Sequence, residues 1–226
     1  MDTVHLLESI SVIATCISII LGVHAWRREY IGKRKIELAE DALTHFYQAR
    51  DAVRRIRSPF GYSGEGKSRK SSEYERPEEK ETLDRAYVVF ERFEKERELF
   101  TGLEVMRYRF MARFGSDAGK PFDVLRSAIN EIFGAANMLG GVYWQRQGRV
   151  QMSPQEFEKH LEQMQKFEAI FWEDYCKALG KDEDPINKAV NVAIAALEQI
   201  CRPIIEEQSG VASFMVNPLK KLFSKD

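Results

Sequence analysis

The sequence predicts an all-α fold, with a single N-terminal transmembrane helix followed by a cytoplasmic bundle of about four or five long helices. Residues 9–26 (SISVIATCISIILGVHAW) contain no Asp, Glu, Lys or Arg. Apolar residues then recur at helical spacing through most of the chain, and no segment alternates apolar and polar residues over the length of a strand. About 200 residues follow the apolar segment, which is enough for one domain with its own core.

The apolar segment 9–26 has the properties of a signal anchor. At about 1.5 Å per helical residue it reaches roughly 27 Å, slightly less than a hydrocarbon core of about 30 Å, so we expect Leu6 and Leu7 to enter as well. Residues 1–8 are then a short external tail. A cleaved signal peptide is the alternative, because Val23-His24-Ala25 loosely resembles a cleavage site. Signal peptides, however, carry their basic residues before the apolar core, and here they follow it.

The residues that flank the segment predict its orientation. No Lys or Arg precedes it, whereas basic and aromatic residues follow it at the predicted membrane interface: Trp26, Arg27, Arg28, Tyr30, Lys33, Arg34 and Lys35. The positive-inside rule then places the N-terminus outside and the C-terminal domain in the cytoplasm, at the plasma or inner membrane. The same basic cluster can also favour anionic lipids.

One face of the predicted span is made of small residues. Ala14, Ser18 and Gly22 recur every four residues, which lets a second helix approach closely. We therefore expect these residues to support self-association in the bilayer, and the alternative is that small residues are simply common in spans.

Helical periodicity continues from the segment into the domain. Residues 27–57 form a juxtamembrane helix with nine basic and five acidic side chains. Residues 58–78, rich in Gly, Ser and charge, form an exposed loop. A second helix is predicted over residues 79–114, and its length of about 50 Å suggests a bundle or a coiled-coil hairpin.

The rest of the predicted bundle extends to residue 210. A third helix runs from Pro121 to about Gln147, and its glycines, Gly134, Gly140 and Gly141, indicate close packing or a bend. Ser153 and Glu156 form a capping box at the start of a fourth helix that runs to Gly180. Residues 153–184 carry nine acidic and four basic side chains. Asp184-Pro185 begins a fifth helix, which Pro203 is expected to kink, and residues 211–226 form an amphipathic tail.

Gly61-Tyr62-Ser63-Gly64-Glu65-Gly66-Lys67-Ser68 matches the pattern G-x-x-x-x-G-K-[ST]. In nucleotide hydrolases such a loop binds phosphate, with Gly61 and Gly66 approaching it closely, Lys67 reaching the terminal phosphates and Ser68 binding magnesium. That function requires a buried parallel strand before the loop and a helix directly after it. The flanking sequences RRIRSPF and RKSSEYERP provide neither, so a plain linker, or a flexible loop that contacts an anion or a partner, is favoured over a true nucleotide-binding loop.

Other catalytic chemistry is not evident. The four histidines form no His-x-x-x-His or Glu-x-x-His pair, the three cysteines have no metal-binding spacing, and no Gly-x-Ser-x-Gly occurs. We therefore predict no catalytic residue, no metal site and no cofactor. The formal net charge of −1 gives no reason to expect a nucleic-acid partner.

The sequence supports a single-pass membrane-anchored helical protein that acts by protein-protein interaction, as a scaffold, adaptor or sensor at the cytoplasmic face. Its partners are then the lipid bilayer, an unknown protein and, through the small-residue face, other copies of the chain. A self-assembling effector that perturbs the bilayer is the alternative. A nucleotide-binding enzyme using residues 61–68 is a more remote one.

Overall fold

A computed structural model describes the backbone of residues 2–180 and 183–222, and the side chains of residues 11–180 and 183–206. The fold is all-α, as predicted, and no strand occurs in those backbone ranges. Two compact units are present: Met1–Asp41 with Cys201–Asp226, and Ala42–Ile200. The side chains of the predicted tail 211–226 lie outside the described residues.

Helix α1 covers Asp2–Arg57 without a break. The predicted second helix is two helices, α2 (Pro77–Lys95) and α3 (Arg97–Phe114). The prediction of one uninterrupted helix over 79–114 is therefore wrong. The chain leaves helical geometry at Glu96, whose φ and ψ are −102° and 6°, and the Glu96 side chain accepts a hydrogen bond from Arg55 at 2.8 Å.

Helix α4 covers Lys120–Met138 after a short 3-10 turn at Ser116–Gly119. It continues as a π-helical turn at Leu139–Tyr143 and ends with a short helix, α5 (Trp144–Arg146). The predicted close packing is present at Gly140, where an added Cβ would lie 2.5 Å from the Cβ of Ala86, but not at Gly134 or Gly141, where it would meet no atom within 4 Å. The close contact therefore joins the π-helical turn to α2.

Helix α6 covers Pro154–Phe171, and the predicted capping box of Ser153 and Glu156 is present at its start. The fourth helix ends earlier than predicted, because Trp172 is extended and Asp174 has a φ of 59°. A short helix, α7 (Tyr175–Ala178), follows. Asp184 caps the start of helix α8 (Pro185–Leu222), and this helix continues past Pro203.

The core of the unit Ala42–Ile200 is rich in aromatic residues. The Phe122 ring lies 4.9 Å from that of Phe46 on α1 and 5.5 Å from that of Phe110 on α3. The Phe133 ring of α4 contacts Phe90 and Phe93 of α2 at 4.8 and 5.0 Å. These edge and offset contacts join α1, α2, α3 and α4 around one apolar centre.

Candidate functional site

The N-terminal part of α1 carries many exposed apolar side chains among the residues whose side chains the structure describes. Eight large apolar side chains between residues 11 and 26 are between about half and two-thirds exposed: Val12, Ile13, Ile17, Ile19, Ile20, Leu21, Val23 and Trp26. Consecutive positions such as 19, 20 and 21 point in different directions around a helix, so the exposure is not confined to one stripe.

Two hydroxyl groups of this segment are bonded within the helix. Thr15 donates to the backbone oxygen of Ser11 at 2.8 Å, and Ser18 donates to that of Ala14 at 2.9 Å. These back-bonded hydroxyls need no water or partner. A Cβ added to Gly22 would meet no atom within 4 Å, so the face of Ala14, Ser18 and Gly22 is open. Its role in self-association stays a prediction.

The predicted interface residues all lie on the next turns of α1. Lys35 is half-buried, and the others are exposed. The rings of Trp26 and Tyr30 stack at 5.9 Å, and the guanidinium of Arg34 donates to the Tyr30 hydroxyl at 3.0 Å. The two aromatic rings therefore lie among the basic residues of this part of α1.

Across the residues searched, none of the helices combines the length and the apolar character needed to cross a membrane. Ser9 and Ile10, at the start of the predicted span 9–26, lie outside the described side chains. The described helices do not support the predicted transmembrane helix, which is taken up below only as a proposal.

The residues of the phosphate-loop pattern are brought together with a carboxylate. The Gly66 amide and the Ser68 hydroxyl both donate to Oε2 of Glu91 on α2, at 2.9 and 2.7 Å. Lys67 is exposed, and Gly61 lies beside the Glu65 carboxylate. The Gly66 amide and the Ser68 hydroxyl, which a bound phosphate or its magnesium would use, are therefore already bonded to the carboxylate of Glu91.

Arg92 attaches the loop to the end of α1. Its guanidinium donates to the backbone oxygens of Ser58 at 2.6 Å and Phe60 at 2.8 Å, and it pairs with Glu65 at 2.6 Å. The hydrogen bond from Arg92 lowers the pKa of Glu65 below its ordinary value. Although the loop carries many exposed residues, buried polar contacts fix its path over α2.

A second attachment holds the later half of the loop. Arg69 donates to Asp84 of α2 at 2.9 Å and pairs with Glu75. Gly66 is buried with a φ of +81°, and a Cβ at that position would lie 2.0 Å from the Asp84 backbone oxygen. The loop and α2 thus approach so closely that only glycine fits.

Between the loop, α2 and Trp172 lies a groove of about 490 Å³, here called the loop groove. Arg85 lies beside it, with its guanidinium 4.4 Å from the Trp144 ring centroid and 5.8 Å from that of Trp172. Lys67 and Lys80 also line it. The sequence predictions gave no role to three arginines that make tertiary contacts: Arg57, Arg85 and Arg92. A signal was present for Arg92, because this arginine continues the apolar periodicity of Val88 and Val89 and is therefore placed toward the core.

Three loop aromatics point into solvent. Phe60 and Tyr62 are each 86% exposed, and Tyr74 is 95% exposed. On a loop held by Arg92 and Arg69, such aromatics are available to a partner at little cost in ordering.

No protein-family model, curated protein or solved structure matches this chain.

Titratable groups elsewhere serve packing. Glu168 accepts from Trp144 Nε1 at 2.9 Å and from the Tyr175 hydroxyl at 2.6 Å, and burial together with this bond raises the pKa of Tyr175 to about 12. His160 is buried against the Tyr143 ring, and no group of His, Cys, Asp or Glu in the described part of the chain could hold a metal ion.

Proposed function

We propose that this protein is a membrane-anchored adaptor: residues 9–26 insert into a bilayer, and the helical domain binds a protein partner at the cytoplasmic face. The uncovered apolar segment of α1 is the observation that carries the proposal. A partner protein with a groove would cover one face of that helix, whereas lipid covers all of them.

The size of the apolar effect is sufficient for anchoring. Complete burial of a large aliphatic side chain contributes about 1.5–3 kcal/mol, so side chains that are about half exposed contribute roughly 1 kcal/mol each on transfer to lipid. Summed over the eight exposed residues, insertion gains roughly 8 kcal/mol. The basic residues after Trp26 then orient the domain toward the cytoplasm and attract anionic headgroups.

The adaptor role is supported by the loop. A segment of irregular backbone is held by Arg92, which is buried, and by Arg69, and it presents three exposed aromatic side chains. Exposed aromatics on a rigid support are typical of sites where a protein partner binds.

Vesicle flotation tests the anchor. The variant Ile17→Asp with Ile20→Asp places two carboxylates in the segment, each costing about 3 kcal/mol at the centre of a bilayer. The matched control, Val105→Asp with Val192→Asp, changes two similarly exposed residues outside the segment. We expect the unchanged chain and the control to float with vesicles in high salt and the segment variant to sediment. Sedimentation of the unchanged chain, or flotation of the segment variant, would contradict the proposal.

The open face of Ala14, Ser18 and Gly22 favours a second candidate function, a membrane module that assembles from copies of itself. Gly22→Leu would then abolish crosslinked oligomers of the full chain in vesicles, while Gly102→Leu, at an open position on α3, would not. Unchanged oligomers in Gly22→Leu would exclude this face as the contact.

A further inference from the structure

We propose that the loop groove binds an acidic segment of the partner protein, with carboxylates at Arg85, Lys67 and Lys80 and an apolar side chain beside Tyr62. The inference rests on the adaptor role proposed above and names the chemistry of its partner. It is carried by the charge of the groove, the position of Arg85 and the exposure of the loop aromatics.

The cations that line the groove outnumber its carboxylates by one: Lys67, Lys80, Arg85 and Arg92 against Glu65, Glu81 and Asp84. Glu65 pairs with Arg92 at 2.6 Å, and Asp84 shares the guanidinium of Arg69 with Glu75. The side chains of Lys67, Lys80 and Arg85 make no hydrogen bond or ion pair with the described residues. The groove therefore presents an excess of positive charge to a ligand.

Arg85 is held without using its hydrogen-bond donors. Its guanidinium stacks on the indoles of Trp144 and Trp172, and Trp144 is itself fixed by its bond to Glu168. Stacking restricts the side chain but leaves its N–H groups available, and a planar guanidinium matches a carboxylate by two parallel bonds. Little side-chain entropy remains to be lost on binding.

The occupant is a peptide rather than a nucleic acid. A nucleic-acid strand would place one phosphate per nucleotide along the groove, against Glu81 and against the paired carboxylates of Glu65 and Asp84. An acidic peptide can space its carboxylates to meet Lys67, Lys80 and Arg85, and can place an apolar side chain against Tyr62. Aromatic anchors beside a basic groove fit that alternation.

Fluorescence anisotropy with a labelled peptide of the repeat Glu-Glu-Phe tests the proposal on the full chain in detergent. We expect saturable binding that weakens with salt, no binding of a Lys-Lys-Phe peptide, and weaker binding of Glu-Glu-Ser. Arg85→Gln and Lys67→Gln are each expected to lower affinity about tenfold, equivalent to about 1.4 kcal/mol. Lys159→Gln is the control: Lys159 is an exposed residue of α6, and we expect its replacement to leave the affinity unchanged.

The remaining outcomes separate the alternatives. Equal binding of the acidic and basic peptides, or unchanged affinity in both Arg85→Gln and Lys67→Gln, would overturn the proposal. Tighter binding of a thymidine oligonucleotide than of the acidic peptide would do so too, and would assign the groove to single strands. Because Lys67 is an exposed loop residue, its variant tests the groove even if Arg85→Gln disturbs the tryptophans. Peptide binding in detergent does not depend on insertion, so failed flotation with intact binding would refute only the anchor.

Discussion

Replacing Arg57 should destabilise the helical domain more than any surface substitution. Its side chain has no exposed area, and the five N–H groups of its guanidinium face six acceptor oxygens at 2.7–3.0 Å. Three of these are backbone oxygens at the end of α6, and the others belong to Glu173 and Asp184. The end of α1, the end of α6 and the start of α8 are therefore joined through one cation.

The expected loss follows from what Arg57→Met leaves behind. Glu173 and Asp184 are only 13% and 9% exposed and would lose their principal counter-charge, and three carbonyls would lose a donor. Breaking a buried pair from one side costs about 3–5 kcal/mol. Both carboxylates keep another donor, because the backbone amide of Asn187 donates to Asp184 and its side-chain amide donates to Glu173. We therefore expect Arg57→Met to lower the free energy of unfolding by about 4 kcal/mol. This is a large part of the roughly 5–15 kcal/mol by which a folded domain is typically stable.

Urea denaturation followed by far-ultraviolet circular dichroism measures this loss. Arg54→Met is the matched control, because Arg54 is 52% exposed and lies 3.8 Å from the same Glu173, a pair that contributes at most about 0.5 kcal/mol. Arg57→Lys restores the charge but not the fork of donors, and should recover about half of the loss, roughly 2 kcal/mol. A loss below about 1 kcal/mol in Arg57→Met, or an equal loss in Arg54→Met, would refute the reasoning.

Two further predictions concern the loop. Gly66→Ala should lower the free energy of unfolding by about 2 kcal/mol or more, because the φ of Gly66 is +81° and the Asp84 backbone leaves no room for a Cβ. Gly102→Ala, at an open helical position, should raise the free energy of unfolding by about 0.5–1 kcal/mol. Equal effects of the two substitutions in urea denaturation would contradict this prediction. The hydrogen bond from Arg69 lowers the pKa of Glu75 from 4.5 to about 2. Its contribution is therefore complete above about pH 4.5 and is lost as the pH falls through about 2, and a carboxyl midpoint near 4.5 by carbon-13 NMR would show that the pair is absent.

The sequence was sufficient for features that depend on local chemistry. Helical periodicity predicted the all-α class, the reciprocal capping of Ser153 and Glu156 predicted the start of α6, and the glycine at position 140 indicated the close contact with α2. Each depends on residues within a few positions or on the size of one side chain, which a sequence shows directly.

The breaks in the helices depend on contacts that are distant in sequence. Helix α6 ends at Phe171, and the backbone carbonyls at this end accept hydrogen bonds from Arg57. Arg57 lies more than one hundred positions away along the chain, so the sequence around residue 171 does not show this contact. The order of the loop at residues 58–76 likewise depends on Arg92, Arg69 and Glu91 finding partners across the fold. Propensity alone contains neither fact, because both are tertiary contacts.

Alkylation of Cys16 tests the central claim, insertion of the apolar segment, most directly. Cys16 is exposed in the uncovered part of α1, while Cys176 and Cys201 are buried. With a charged maleimide on both sides of reconstituted vesicles, the account predicts that Cys16 stays unlabelled until denaturant is added, while a Ser63→Cys variant is labelled at once at its exposed loop position. Labelling of Cys16 in intact vesicles as fast as at position 63 would contradict membrane insertion.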